Sequence, residues 1–406
     1  MGLEWPLEFP GAHWVDEAEC EAVLDVVRNG SMFRYYGIKA PSHVEAYEAG
    51  CRDYYDCSYA LGLNSGTGAL VTAMAALDIG PGCEVIVPAL MWVATVAAVV
   101  HVNAIPRLCE VDDSFTMDPA DLEAKITKRT KLIVPVHMAG CPCNMDAIMA
   151  VARNHDIPVL EDCAQCNGGS FRGTKVGTFG NIGIFSLQLN KNMTSGEGGL
   201  LITDDERLYA RAFSAHDMGL VRKGGRLVPP EPYAITWGAG RRMTELCGAV
   251  AEVQLSKLPQ IVGSMRASKY RIKAALEGTP GLAFRRVHDD AGDTGPFLIV
   301  ILEDADRARK AAAKMVGAGL HSVFRIADYG LHIYYNIPSL VKKVSLSPAG
   351  NPWNLAENRE SVYDYGKGTC PKSDDLFERS VLIPVPSKLT VKQEEAAVAI
   401  IRDSIC

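Results

Sequence analysis

The fold this sequence predicts is α/β: a mostly parallel central sheet flanked by helices, with a smaller C-terminal α/β domain. Three observations lead there. Strand-like and helix-like segments alternate from residue 60 to residue 165, the pattern of successive βαβ units. The 406 residues are more than one core usually fills, so two domains are expected. Polar residues follow the apolar runs directly, at 64–68 and at Asp162, and parallel sheets bind ligands at the carboxyl ends of their strands.

The elements follow in order. An amphipathic helix is expected over Asp16 to Val27, closed by Asn29-Gly30. The aromatic stretch 30–37 reads as a loop that lines a pocket or staples the N-terminus to the body. A second helix covers His43 to Arg52. Tyr59 to Leu63 is a short buried strand, and an apolar helix runs from Ala69 to Leu77. Strands are expected at Glu84–Pro88, Ile105–Val111, Leu132–Val136 and Val159–Leu160. Helices separate them at Ala94–Val100, Asp118–Ile126 and Met145–His155. A helix at Glu206–Ala215 leads into a Gly- and Pro-rich passage, 219–240, which reads as a long functional loop. Arg242 to Val253 is helical and continues past Pro259 into the second domain. The expected division is a large domain over 1–265 and a small one over 266–406. The small domain mixes helices at Ala267–Leu276, Ala305–Val316 and Val391–Arg402 with strands at Phe297–Leu302 and Val381–Pro384.

Composition removes several functions. Hydrophobic residues make up 48% and charged residues 22%, as in an ordinary globular protein. A net charge of -7 argues against a nucleic-acid surface, where a basic face is expected. No apolar run approaches the roughly 20 residues of a membrane span, and the first residues lack the basic flank of a signal peptide. The protein is therefore expected in the cytoplasm. Of the 12 cysteines only Cys163 and Cys166 form a C-x-x-C pair. No second pair stands at zinc spacing, so no metal is expected and the thiols read as reduced and buried. A redox role for that pair is the alternative.

Four features call for one explanation. Asn64-Ser65-Gly66-Thr67-Gly68 precedes a helix. It is either a phosphate site, built from free N–H groups and the helix dipole, or a plain N-cap by Ser65 or Thr67. Trp92 follows a strand, and Asp162 ends another. Lys191 stands in a polar knot between apolar arms, followed by Gly196-Glu197-Gly198-Gly199. Partial burial there lowers a lysine's pKa and frees a neutral amine for carbonyl chemistry. A phosphate cradle, an aromatic face, a carboxylate for a ring nitrogen and a lysine for an aldehyde together match pyridoxal 5'-phosphate.

The same stretches carry a resemblance. N-S-G-T (64–67), P-A-L-M-W-V-A-T (88–95), V-P-V-H-M-A-G (134–140), E-D-C-A-Q (161–165) and F-S-L-Q-L-N-K-N-M-T-S-G-E-G-G (185–199) resemble the DegT/DnrJ/EryC1/StrS family in order and spacing. These are pyridoxal-phosphate-dependent sugar aminotransferases of fold type I, active as homodimers. The resemblance implies that Lys191 forms the Schiff base and shuttles the proton, and that Asp162 pairs with the pyridinium nitrogen. It further implies that Gln165 meets the ring hydroxyl, that Trp92 stacks on the ring, and that Gly66, Thr67 and Ser186 hold the phosphate. Glu197 braces the turn. The implied reaction moves an amino group from glutamate or glutamine to a keto sugar, a keto cyclitol or an 8-keto octulosonic acid.

One departure stands out. Where the family has G-x-N-x-R-M, with an Asn that reaches across the dimer, this chain has Gly238-Ala239-Gly240-Arg241-Arg242-Met243. Arg241 or Arg242 is the expected replacement, on the cofactor phosphate or an acidic substrate. His332, Tyr334 and Tyr335 either line the acceptor pocket or belong to the second-domain core. Two rival readings exist. A non-catalytic cofactor-binding regulator wants a basic DNA-binding helix, which is missing. A dehydrogenase is suggested by Gly177 to Gly183, but the glycine spacing is wrong for a dinucleotide.

Overall fold

The structure, a computed structural model, describes residues 4–405 apart from positions 8 and 41. Its centre is a seven-stranded sheet. Glu84–Pro88 pairs in parallel with Ile105–Cys109 on one side and Thr130–Ile133 on the other. Parallel bridges Ile133 to Val159 and Val136 to Asp162 join that group to Leu160–Asp162. Leu160–Asp162 runs parallel to Ile182–Ser186. Gly199–Thr203 then pairs antiparallel with both Ile182–Ser186 and the edge strand Tyr59–Leu63. Six strands share one direction and one opposes them, so the sheet is mostly parallel, as the alternation predicts. The central strands are buried throughout, which explains their unbroken Val, Ile and Leu runs.

Helix boundaries follow capping chemistry. Asp16 accepts from the Ala18 N–H, Glu19 closes the capping box, and Gly30 ends the Glu17–Asn29 helix in the left-handed region at φ 69°. Asp118, Asn144 and Asp205 cap their helices in the same way. The helix continues past Pro259, as expected. One 32-residue helix, Glu245–Leu276, carries Pro259 inside it. Its buried residues Leu255, Leu258, Ile261 and Val262 hold the rod together where the missing N–H removes one rung. The stretch expected as a separate helix at Ala267–Leu276 is the end of this rod.

A second sheet, all antiparallel, orders Ala283–Phe284, Phe297–Ile301, Ser380–Pro384 and Phe324–Arg325. Helices Ala305–Gly317 and Val391–Ile405 pack with it around Leu298, Val300, Met315 and Ile401. Trp5 joins that cluster, and the Trp14 indole donates to Ser387 Oγ at 3.0 Å, so Trp5 and Trp14 both lie against this C-terminal unit. Lys269 of the long helix and Asp293 form an ion pair, 2% and 0% exposed. Asp293 also accepts from the Gly295 N–H. That pair fixes the chain immediately before Pro296 and Phe297, which form part of the cavity described below.

Asp293→Ala leaves the Lys269 ammonium buried without its partner. A loss of about 3–5 kcal/mol is expected, measured by urea unfolding. The double change Lys269→Met with Asp293→Leu is expected to recover most of it; equal losses in both variants would show that the pair's charge is not what matters.

Candidate active site

A cavity of about 530 Å³ opens over the carboxyl ends of the parallel strands. Every one of those strands except the edge strand Ile105–Cys109 delivers residues to it: Ser65 to Thr67 after Tyr59–Leu63, Trp92 and Thr95 after Glu84–Pro88, Val136 after Thr130–Ile133, then Asp162 and Ser186. The antiparallel sheet closes the far side with Phe297, Phe324 and, from the loop beyond, Tyr329 and His332.

At one end lies an anion cradle. The Gly66–Ala76 helix starts here, and Ser65 caps it by accepting the Gly68 N–H at 2.9 Å. The N–H groups of Gly66 and Thr67 have no partner within the helix and stand at its positive end. Ser65 is the cap, and Gly66 and Thr67 line the cavity. A Cβ on Gly66 would come within 2.8 Å of the Ser186 Cβ, so only glycine leaves that space open. The G-E-G-G motif has a matching reason. A Cβ on Gly199 would meet the Ser65 carbonyl oxygen at 2.2 Å, so the strand presses directly on the anion turn.

At the floor is Asp162, 3% exposed. Alternation along Leu160–Asp162 sends Asp162 into the cavity and Glu161 to the opposite layer. Thr95 Oγ1 donates to Asp162 Oδ2 at 2.7 Å, and the Ala164 N–H donates to Oδ1 at 3.1 Å. Burial raises the carboxyl pKa; Thr95, Ala164 and the nearby charge of Lys191 pull the other way. The carboxylate is thus desolvated and poised for a cationic partner. Glu161 accepts from the N–H groups of Gly177, Phe179 and Gly180 and meets His137 Nε2 at 3.1 Å. The 177–183 glycines therefore serve to wrap Glu161. His137, Glu161 and Cys163 also lie close enough together to suggest metal ligands. However, His137 Nδ1 accepts the Cys143 N–H at 3.0 Å, so the proton is on Nε2 and points at Glu161. Neither ring nitrogen offers a lone pair to an ion.

Lys191 extends from the loop between strands Ile182–Ser186 and Gly199–Thr203. Its N–H donates to the Gln188 carbonyl and its carbonyl accepts the Gly11 N–H at 3.0 Å. Gln254 of the long helix accepts from the Thr194 N–H and donates to Glu19, bracing the loop from behind. The Lys191 side chain is half-buried in the cavity wall, close enough to influence both Asp162 and His332. Trp92 is 43% exposed at the start of the Val93–His101 helix, its ring 4.7 Å from that of His332. Gln165 accepts the Ala139 N–H at 3.0 Å and reaches His332 with its amide nitrogen at 3.2 Å. Glu197 is exposed at the cavity mouth, and its carbonyl takes the Ser195 hydroxyl.

The cavity thus gathers Gly66, Thr67, Trp92, Asp162, Gln165, Ser186, Lys191 and His332. It does not gather the other four candidates, Arg241, Arg242, Tyr334 and Tyr335; the Tyr335 ring meets that of Tyr334 edge-on at 5.0 Å. Tyr334 is fully buried, its hydroxyl donating to Asp374 and accepting the Cys370 N–H; it is a core tyrosine. Arg242 pairs with Asp217 at 2.6 Å, and Arg222 takes the other oxygen, so its charge is already matched. Arg241 lies behind the cradle, its Cδ 3.4 Å from where a Gly68 Cβ would stand. The aromatic stretch 33–36 surrounds the Arg222 guanidinium and lines no part of the cavity. Cys163 and Cys166 are buried, and burial raises both thiols well above their usual pKa, which leaves them protonated and inert. Sequence reasoning assigned no role to Thr95, although it ends the quoted 88–95 motif one helical turn after Trp92. It also passed over Gln188, Asn190 and Asn192, which line the cavity; Asn192 is buried and its Nδ2 donates to the Asn167 carbonyl at 2.7 Å.

A doubly flanked, mostly parallel sheet with a lysine and an aspartate facing each other across a helix-capped anion cradle is the architecture of fold type I enzymes. The chain belongs to the DegT/DnrJ/EryC1/StrS aminotransferase family, matched over residues 14–402. It is 36% identical over 285 residues to an L-glutamine:2-deoxy-scyllo-inosose aminotransferase of Streptomyces fradiae, covering 67% of this chain and 64% of that protein. The match to the protein of the same name from Micromonospora echinospora is 36% over 323 residues, covering 78% and 64%. The chain thus aligns with just under two thirds of these relatives. The spore coat polysaccharide biosynthesis protein SpsC of Bacillus subtilis is 28% identical over 396 residues, covering 96% and 95%. Among solved structures, 3-amino-5-hydroxybenzoic acid synthase superposes with a TM-score of 0.80 at 25% identity, covering 100% and 99%. An aminotransferase from Psychrobacter cryohalolentis gives 0.78 at 27%, covering 98% and 97%.

Thr95→Val keeps the side-chain shape and removes the donor to Asp162. The Asp162 pKa is then expected to rise, because a hydrogen bond to the charged form is lost. The acid limb of the activity profile should move to higher pH. An unchanged acid limb would separate Thr95 from the carboxylate's function.

Proposed function

We propose that this protein is a pyridoxal-phosphate-dependent aminotransferase that moves an amino group from glutamine or glutamate to the carbonyl of a keto cyclitol or keto sugar. The observation that carries the reading is the single cavity holding Lys191, the buried Asp162 and the helix cradle together. The donor set fits the cofactor. The N–H groups of Gly66 and Thr67 and the Ser186 hydroxyl suit a phosphate, and the space that Gly66 leaves is the cradle a Cβ would fill. The Trp92 ring suits a pyridine face. Asp162, desolvated and in need of a cation, suits a protonated ring nitrogen. When bound, the cofactor supplies an aldehyde that accepts the amino group and a ring that withdraws electrons.

The chain's own residues supply the rest. Lys191 Nζ holds the cofactor covalently and, once released, takes and returns the substrate proton from a fixed position. Asp162 keeps positive charge on the ring. The amides of Gln188 and Asn190 in the cavity wall offer neutral donors and acceptors to a polyhydroxylated acceptor. The names of the relatives favour glutamine as donor and a keto cyclitol as acceptor. No helix of the described residues is long and apolar enough to cross a membrane, in keeping with a biosynthetic enzyme of the cytoplasm.

A homodimer completes the reading. Tyr36, Ile38, Ile235 and Trp237 are 62%, 86%, 69% and 95% exposed. Their segments touch: Arg222 lies over the rings of Phe33, Tyr35 and Tyr36, and a Cβ on Gly219 would lie 2.3 Å from the Thr236 carbonyl oxygen. Large exposed apolar side chains suit an interface, and the family's cross-subunit loop, 238–243, follows Trp237 directly.

Lys191→Ala is expected to abolish both turnover and the yellow absorbance of cofactor-bound protein; retention of either refutes the assignment. Trp237→Glu is expected to shift the protein toward monomer in light scattering after gel filtration. A variant that remains dimeric removes this patch from the interface.

A further inference from the structure

We propose that His332 is a positioning residue: it fixes the Gln165 side-chain amide so that an N–H faces the cofactor's ring oxygen. This rests on the pyridoxal phosphate reading above. The argument begins with Gln165. Its Oε1 accepts the Ala139 N–H at 3.0 Å, so the other arm facing His332 is the NH2 group. The contact from Gln165 Nε2 to His332 Nε2 at 3.2 Å then requires His332 Nε2 to be the acceptor. The remaining ring nitrogen, Nδ1, donates to the Tyr329 carbonyl at 3.1 Å. Two backbone groups, one at each end, thereby determine the tautomer and leave the imidazole neutral. Burial acts in the same direction, lowering the His332 pKa to about 4.

His332 is held for this task. Its ring stacks on Tyr329 at 3.9 Å with only 7° between the planes. Its carbonyl accepts the Met91 N–H at 2.9 Å, the Tyr334 N–H donates to the Ala89 carbonyl, and Leu90 bridges Ile333. The loop that follows strand Glu84–Pro88 and carries Trp92 is thus stitched to the loop that carries His332. Trp92 and His332 are held against each other, ring centroids 4.7 Å apart, and the Gln165 amide has one N–H spent on His332 and one left for the cavity. Without an acceptor at position 332, the first N–H is orphaned in a half-buried site, and the side chain rotates to satisfy it. His332 therefore acts on the cofactor through Gln165, which is a different role from lining the acceptor pocket.

The test compares wild type, His332→Asn and His332→Leu by two readouts: affinity for added pyridoxal 5'-phosphate, and a pH titration of the bound cofactor's absorbance. His332→Asn retains an acceptor; His332→Leu does not. The leucine variant is expected to bind the cofactor several-fold more weakly, and its absorbance transition should shift to higher pH, because the ring oxygen loses the donor that favours its charged form. The asparagine variant is expected to restore most of both. If the leucine variant binds and titrates like wild type, or if asparagine and leucine behave alike, the positioning role is wrong. If wild type itself neither binds the cofactor nor develops its absorbance, the functional reading fails first.

Discussion

A carboxylate taken almost wholly out of water is the constraint around which the site is built. Asp162 ends a central strand, and burying an unpaired charge there costs several kcal/mol. The chain offsets part of that cost with Thr95 and the Ala164 N–H. The nearby charge of Lys191 acts in the same direction, and on the proposed reading a cationic ring would meet the remainder from the cavity. The strand alternation that places Asp162 inward sends Glu161 outward, where three backbone N–H groups of the 177–180 turn receive it. Two acidic neighbours in sequence thus do different work: one awaits a ligand, the other ties the strand to its layer.

The opposing wall depends on backbone contact rather than on side chains. Gly199 lies so close to Ser65 that no side chain fits between them, and the Lys191 loop is the hairpin that ends there. The anion cradle and the lysine are therefore parts of one rigid body. The long Glu245–Leu276 helix braces that body from behind through Gln254, and the same helix reaches Asp293 through Lys269, next to the residues that close the far side. Geometry across the cavity is transmitted by one rod rather than by a flexible joint.

Much of this was legible beforehand. Unbroken apolar strands and polar residues at strand ends are local signals, and they located the sheet, most helices, the 64–68 turn, Trp92, Asp162 and Lys191, whereas Gln165 and Ser186 came only through the family resemblance. What escaped depends on distant partners. Arg242 looks like a free cation in sequence, but Asp217 and Arg222 are brought to it by folding. Tyr334 and His332 are two residues apart in the same aromatic run, yet one faces Asp374 in the core and the other faces Gln165 in the cavity. The stretch 267–276 reads as a helix of its own, but it is the end of the rod that passes through Pro259. Thr95 carries no signal of its own, because its importance comes from a carboxylate 67 residues away.

The central claim is that one amine, Lys191 Nζ, bonds to pyridoxal phosphate above the Asp162 carboxylate. The most direct measurement is borohydride reduction of the cofactor-loaded protein followed by peptide mass mapping. The account predicts a single phosphopyridoxyl mass increment, on the peptide that contains Lys191. Labelling spread over surface lysines, or confined to a different lysine, would contradict it.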